Sequence, residues 1–221
     1  MPAAATIQTE PRWPAFVALV AVGFLYMGLP ETLSVGPRWL LLVVILALLI
    51  PITIAHRLNH VPILRMLIFI ANGLITAAMI AAIAFLIQGL PAHRESSGVL
   101  LRSAVGLWLT NILVFALWYW KLDAGGPHER ERSRGNLRSA FLFPQMMQQG
   151  ISGDDSDDRK ARRLWYPHFV DYLFLAFNTS TAFSPTDTAV LSRGAKLGMM
   201  AQAIISLTIL VLLAARAVNI L

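Results

Sequence analysis

Long uncharged stretches separated by short charged ones set the pattern of this chain. A helix needs roughly 20 mainly apolar residues to cross about 30 Å of hydrocarbon. Five stretches, residues 13–30, 39–55, 66–90, 103–120 and 197–215, contain no charged side chain. Each predicts a membrane-spanning helix, with Pro51 kinking or ending the second. The fourth ends in Trp118-Tyr119-Trp120 before Lys121, the arrangement of an interfacial aromatic belt. A sixth stretch, 164–183, is mixed: His168 and Asp171 lie near its start and Asn178-Thr179-Ser180-Thr181 near its end. It reads as a span, or as a half-helix that enters and leaves on one side, which is tolerated only when buried in protein.

Composition agrees with this pattern. The chain has 221 residues, 57% hydrophobic and only 14% charged, and soluble domains carry about 25% charged residues. The fold class expected is all-α, a polytopic transmembrane helical bundle of about six spans. Residues 1–120 form a four-helix transmembrane part, 121–163 a polar basic cytoplasmic loop, and 164–221 a C-terminal helical pair with a polar Thr/Ser string. The first span has one basic residue before it and no small-x-small cleavage pattern at Leu29-Pro30-Glu31, so it reads as an uncleaved helix.

Charge sets the expected orientation. The net charge is +6, and nine of the eighteen Lys and Arg lie in 121–163. With six crossings and a cytoplasmic N-terminus, inside segments hold 13 of these residues and outside segments five. The positive-inside rule then places both termini in the cytoplasm, in a bacterial inner membrane. A re-entrant sixth stretch would instead put the C-terminus outside. The excess charge is expected to meet anionic lipid; a nucleic-acid partner is not expected.

Few residues offer chemistry. There is no cysteine, which excludes disulfides and thiolate metal sites. No glycine-rich phosphate loop, H-E-x-x-H or G-x-S-x-G occurs, so neither an enzyme nor a cofactor is expected. His56 and His60 share a helical face but lack a third ligand. Asp154, Asp155, Asp157 and Asp158 do not follow an EF-hand spacing, and read as a solvated loop balanced by Arg159–Arg163. Phe141 to Met147 is apolar enough to lie in the headgroup layer or pack under the bundle. Ser184-Pro185-x-Asp187 reads as a helix start running towards Gly194.

Ionisable groups inside a membrane are costly, so Asp171 is the first functional candidate, with Arg162, Arg163 or His168 as its partner. Asn72, Gln88, Asn111, Asn178 and Gln202 read as cross-helix hydrogen bonders or as the lining of a path. Asn178, Thr179, Ser180, Thr181 and Asp187 complete the candidate path.

Two resemblances arise from the C-terminal third. Trp165-Tyr166-Pro167, Asp171-Tyr172, Phe177-Asn178-Thr179-Ser180-Thr181, Ser184, Asp187-Thr188 and Leu191-Ser192-Arg193, with Phe141-Leu142-Phe143-Pro144-Gln145, resemble a family of uncharacterised bacterial multi-pass membrane proteins. The same third resembles, more distantly, the pore module of tetrameric cation channels. Phe174 to Phe183 stands for the pore helix and Thr string, and Arg193-Gly194 for the start of the inner helix. The potassium filter Gly-Tyr-Gly-Asp is absent, and no glycine lies between Phe177 and Ser192. This resemblance implies an ion-channel-like or solute-permeation role, with an ion or small solute as cargo and a homo-oligomer as the assembly. The alternative is a non-transporting membrane scaffold or accessory subunit whose polar string serves helix packing.

Overall fold

A computed structural model describes residues 10–58, 60–89, 96–132, 139–151, 165–181 and 187–218. The apolar stretches become helices α1 (Trp13–Met27), α2 (Leu40–Arg57), α3 (Val61–Gly89), α4 (Ser97–Leu122) and α8 (Arg193–Val218). Of these, α2, α3, α4 and α8 are long and apolar enough to cross a membrane, and α1 is a shorter apolar helix. Three short helices complete the set: α5 (Pro127–Arg132), α6 (Pro144–Ile151) and α7 (Phe169–Thr181). Strands β1 (Phe141–Leu142) and β2 (Ala189–Val190) pair antiparallel. The chain is therefore all-α in class and membrane-embedded by composition.

Helix ends obey local chemistry. Pro51 lies inside α2 rather than ending it, and the helix continues to Arg57. Ser96 caps α4 by accepting from Val99 N–H, and Ser192 caps α8 by accepting from Ala195 N–H at 3.1 Å. The helix start expected at Ser184-Pro185 is corrected by this cap. Ser184 and Pro185 fall outside the described residues, but Asp187 and Thr188 form a bend that leads into β2. At Gly23 a Cβ would lie 2.7 Å from Leu42 Cδ1 and 3.2 Å from Leu42 Cα. The missing side chain lets α1 and α2 approach closely, as small residues do between membrane helices.

The central element is α4. It packs against α1, α3, α7 and α8, and Leu107, Val114 and Ala116 on it are fully buried. Its C-terminal end meets the start of α7, where Trp120 stacks edge-on against Phe169 at 5.9 Å. Its middle, at Asn111, meets the end of α7 at Ser180. Against α8, Tyr119 meets Gln202 and Trp108 meets Ser206. So α4 is antiparallel to both α7 and α8, and α7 and α8 run parallel. Ala176 pairs with Gln202, and Ser180 with Ser206, in the same sense.

Within the stretch 164–183, whose residues 164, 182 and 183 lie outside the described ones, α7 does not run the length of the bundle. Helix α7 has 13 residues, about 20 Å at 1.5 Å per residue, and hydrocarbon is about 30 Å thick. After it the chain comes back to the end where α7 began, because β2 pairs with β1 and Leu191 N–H donates to Ala140 O at 2.8 Å. Helix α8 then starts beside the start of α7. In consequence the first residue of α1 and the last described residue of α8 lie at opposite ends of the bundle.

Candidate functional site

Helix α7 is fastened at two levels, and both fastenings are polar. The first is at the end of the bundle. Beyond α4 the backbone turns sharply through Ala124, Gly125 and Gly126, all at positive φ. That turn buries Asp123 completely. Its carboxylate accepts from the Tyr172 hydroxyl at 2.5 Å, Ser139 Oγ at 2.8 Å, Ala140 N–H at 2.5 Å and Phe141 N–H at 3.4 Å. One side chain thus ties the exit of α4, the approach to β1 and the first turn of α7.

Beside it Arg130, from α5, folds back under the turn. Its Nη1 donates to the carbonyls of Trp120 and Asp123, each at 3.0 Å, and its Nη2 to Glu10 Oε2 at 3.0 Å. Trp120 Nε1 donates to the other Glu10 oxygen at 2.5 Å. The guanidinium lies 5.2 Å from the centre of the Tyr172 ring, within cation–π range. Both members of the Arg130–Glu10 pair are more than nine-tenths buried. Such a pair is weak evidence for stability, yet breaking it by removing one partner is costly. Phe141 and Phe143 close the collar edge-on against Tyr172, so the apolar segment Phe141 to Met147 packs on the bundle end.

The second fastening lies half-way along α4 and carries no charge. Gln202, fully buried on α8, accepts from the Tyr119 hydroxyl at 2.6 Å and donates to Ala176 O at 2.7 Å and Ser180 Oγ at 2.8 Å. Ser206 donates to Ser180 O at 2.6 Å and accepts from Trp108 Nε1 at 3.1 Å. Asn111 Nδ2 reaches Ser180 Oγ and Gln202 O, both at 3.4 Å, and its buried Oδ1 has no partner among the described residues. These are groups a low-dielectric interior accepts once paired.

The candidate residues separate on this frame. Asp171 Oδ2 accepts from His168 N–H at 2.7 Å. His168 is the residue before the helix, so Asp171 supplies the returning half of a capping box and favours the helix dipole. It is a local fastener of α7. Ser180 joins the buried network. Thr179 Oγ1 donates to Leu175 O at 2.8 Å and Thr181 Oγ1 to Asn178 O at 3.2 Å, both within their own helix. Asn178, Thr179 and Thr181 are half-buried, and Asp187 is exposed at the end of the bundle. The structure thus brings 178–181 together at mid-depth and leaves Asp171 and Asp187 at the other level.

Among the other amides, Gln88 is exposed and Asn72 is buried with its Nδ2 unpaired among the described residues. His56 takes a hydrogen bond from Arg12 Nη1 at 2.8 Å. The cluster at 154–158 and the basic run at 159–163 lie outside the described residues. Sequence reasoning missed Asp123, Arg130 and Tyr172. The available signal was a carboxylate set directly between a span end and a Gly-Gly turn. No protein-family model, no curated protein and no solved structure matches this chain.

Proposed function

We propose that the chain is a pore-loop membrane protein that passes an ion or small polar solute as a homo-oligomer. The observation that supports it is the course of α7: a half-helix that starts beside α8, ends half-way along α4, and is succeeded by a return to the same end. The last carbonyls of a helix carry about half a negative charge, and a half-helix that aims them at mid-bilayer suits a cation. Val170, Phe174 and Phe177 on α7 and Leu197, Met200, Ile204 and Leu207 on α8 are exposed in one protomer. In this reading part of that surface faces other copies around a shared path.

The positive-inside rule gives this reading its orientation. Among the described residues, Arg12, Arg57, Arg65, Lys121, Arg130, Arg193 and Lys196 gather at the end that carries the collar, whereas Arg38, Arg102 and Arg216 lie at the other. The collar end is then cytoplasmic, the N-terminus with it, and the C-terminus across the membrane, with α2, α3, α4 and α8 as crossings of full length and the shorter α1 running beside them.

A second reading, a non-transporting scaffold or accessory subunit, draws on the hydroxyls. Ser180 and Ser206 are bonded in a closed core and Thr179 and Thr181 to their own helix, as packing alone requires. Cation flux into liposomes containing the purified protein separates the two. Permeation predicts flux in the wild type and an altered rate or ion preference in Thr179→Ala/Thr181→Ala, whose fold should survive. Absence of flux from folded, inserted protein under every cation gradient removes the pore reading and leaves the scaffold.

A further inference from the structure

A cleft opens at the collar end between α1, α2, α3 and the C-terminal part of α4, with no residue of α7 or α8 in its lining. Its depth is apolar, formed by Phe16, Leu19, Leu49, Ile52, Ile68 and Leu117. Its rim is basic: Arg12, Arg65 and Lys121, with His56 and His128 beside them. Glu129 answers Arg65. Lys121 has no carboxylate within salt-bridge distance among the described residues, and its charged neighbours are Arg65, Arg12 and Arg130. Inside the cleft, Asn72 is 2% exposed and its Nδ2 has no acceptor among the described residues.

An unpaired donor in an apolar recess and an uncompensated ammonium at its mouth are two separate deficits, and both call for an anionic or acceptor group on an apolar stem. We propose that this cleft binds one anionic phospholipid of the adjoining leaflet, its phosphate between Lys121 and Arg65, an ester carbonyl accepting from Asn72 Nδ2 and an acyl chain along the apolar floor. The charge at the rim selects an anion. The floor selects a chain-bearing one over a free phosphate. The position at the charged end of the bundle sets the headgroup at the membrane surface, where basic pockets between helices take anionic headgroups. The proposal does not depend on whether the protein conducts.

The test is lipid titration of the purified, detergent-solubilised full chain, read as thermal midpoint and as lipid adducts in native mass spectrometry. The probes are phosphatidylglycerol, phosphatidylcholine with the same chains, and inorganic phosphate. Phosphatidylglycerol should raise the midpoint saturably and give a single adduct, and the other two should not. Lys121→Gln should weaken the apparent affinity about fivefold, the amount expected of one cation near an anionic headgroup. Arg193→Gln, a cation at the same end outside the cleft, should leave it unchanged. Asn72→Leu should also weaken binding, and it carries the test if Lys121→Gln does not fold. Equal response to phosphatidylcholine, a full shift with phosphate alone, or wild-type affinity in the cleft variants would each overturn the assignment.

Discussion

Replacing Asp123 tests the collar directly. In Asp123→Ala the Tyr172 hydroxyl and the N–H groups of Ala140 and Phe141 lose their acceptor. Ser139 keeps one, since its Oγ also donates to Phe141 O at 2.7 Å. The two closest donors, Tyr172 and Ala140, both at 2.5 Å, dominate the loss. Hydrogen bonds to a charged group are worth about 1.5–3 kcal/mol each. Removing the charge also removes its own burial cost, so the net expected is about 2–4 kcal/mol, from leaving the Tyr172 hydroxyl and the Ala140 N–H buried without an acceptor at about 1–3 kcal/mol each. Asp123→Asn keeps the shape and one acceptor oxygen and should cost about 1–2 kcal/mol. Tyr172→Phe removes a single bond and should fall near the same value. Equilibrium unfolding in mixed micelles measures all three, with Glu31→Ala as the control because that side chain is 76% exposed. Proteolysis should also rise at 139–142 in Asp123→Ala, where the carboxylate holds the backbone. If Asp123→Ala unfolds within about 0.5 kcal/mol of the control, the scatter of ordinary surface changes, the collar does not hold the loop and α7 to α4.

The same geometry carries three further outcomes. Gln202→Leu deletes three side-chain bonds at mid-depth and should cost about 2 kcal/mol in the same unfolding assay, taking ~0.6 kcal/mol per bond between membrane helices. Gly126→Ala should lose about 1–3 kcal/mol, because φ is +92° and its Cβ would stand 2.9 Å from Lys121 O; Gly73→Ala, with nothing within 4 Å, should gain rather than lose stability. The chain has no native cysteine, so single replacements report sidedness cleanly: Gln145→Cys and Asp187→Cys should react with an impermeant maleimide from one face of the membrane and Glu31→Cys from the other, and opposite labelling of 145 and 187 would restore a sixth crossing.

The helices were legible because uncharged length is the signal the bilayer itself imposes. Their ends were less so. Helix α3 begins at Val61 and α8 at Arg193, several residues before the uncharged runs, because Arg65 and Lys196 sit within helices near the membrane surface. A charge interrupts an apolar run without interrupting the backbone ladder. The direction of α7 was not legible. The stretch 164–183 has enough apolar residues to cross, but Asp171 and His168 start the helix at Phe169, and beyond Thr181 the chain returns. That return is fixed by the pairing of β1 with β2, two residues each, a contact between segments about 48 residues apart with no periodicity to announce it. Asn111 and Gln202 stood out as amides in apolar runs. Asp123 did not, since an acidic residue just past a span reads as solvated, and only the turn at Gly125-Gly126 folds it inward.

The two fastenings of α7 are graded by depth in the way the bilayer demands. The charged one, with Asp123, Arg130 and Glu10, lies at the end of the bundle, where each ion is buried but offset by its hydrogen bonds. The neutral one, with Gln202, Ser180, Ser206 and Asn111, lies half-way down α4, where an unpaired charge would cost several kcal/mol. Together they hold both ends of α7. A helix of 13 residues held only by its apolar face would gain little over lipid, because hydrocarbon is as apolar as the neighbouring helices. Polar bonds at each end therefore keep α7 in place. The network occupies Ser180 and its carbonyl. That leaves the half-buried Asn178 and the end of the last turn at Thr181 as the part of α7 outside both fastenings.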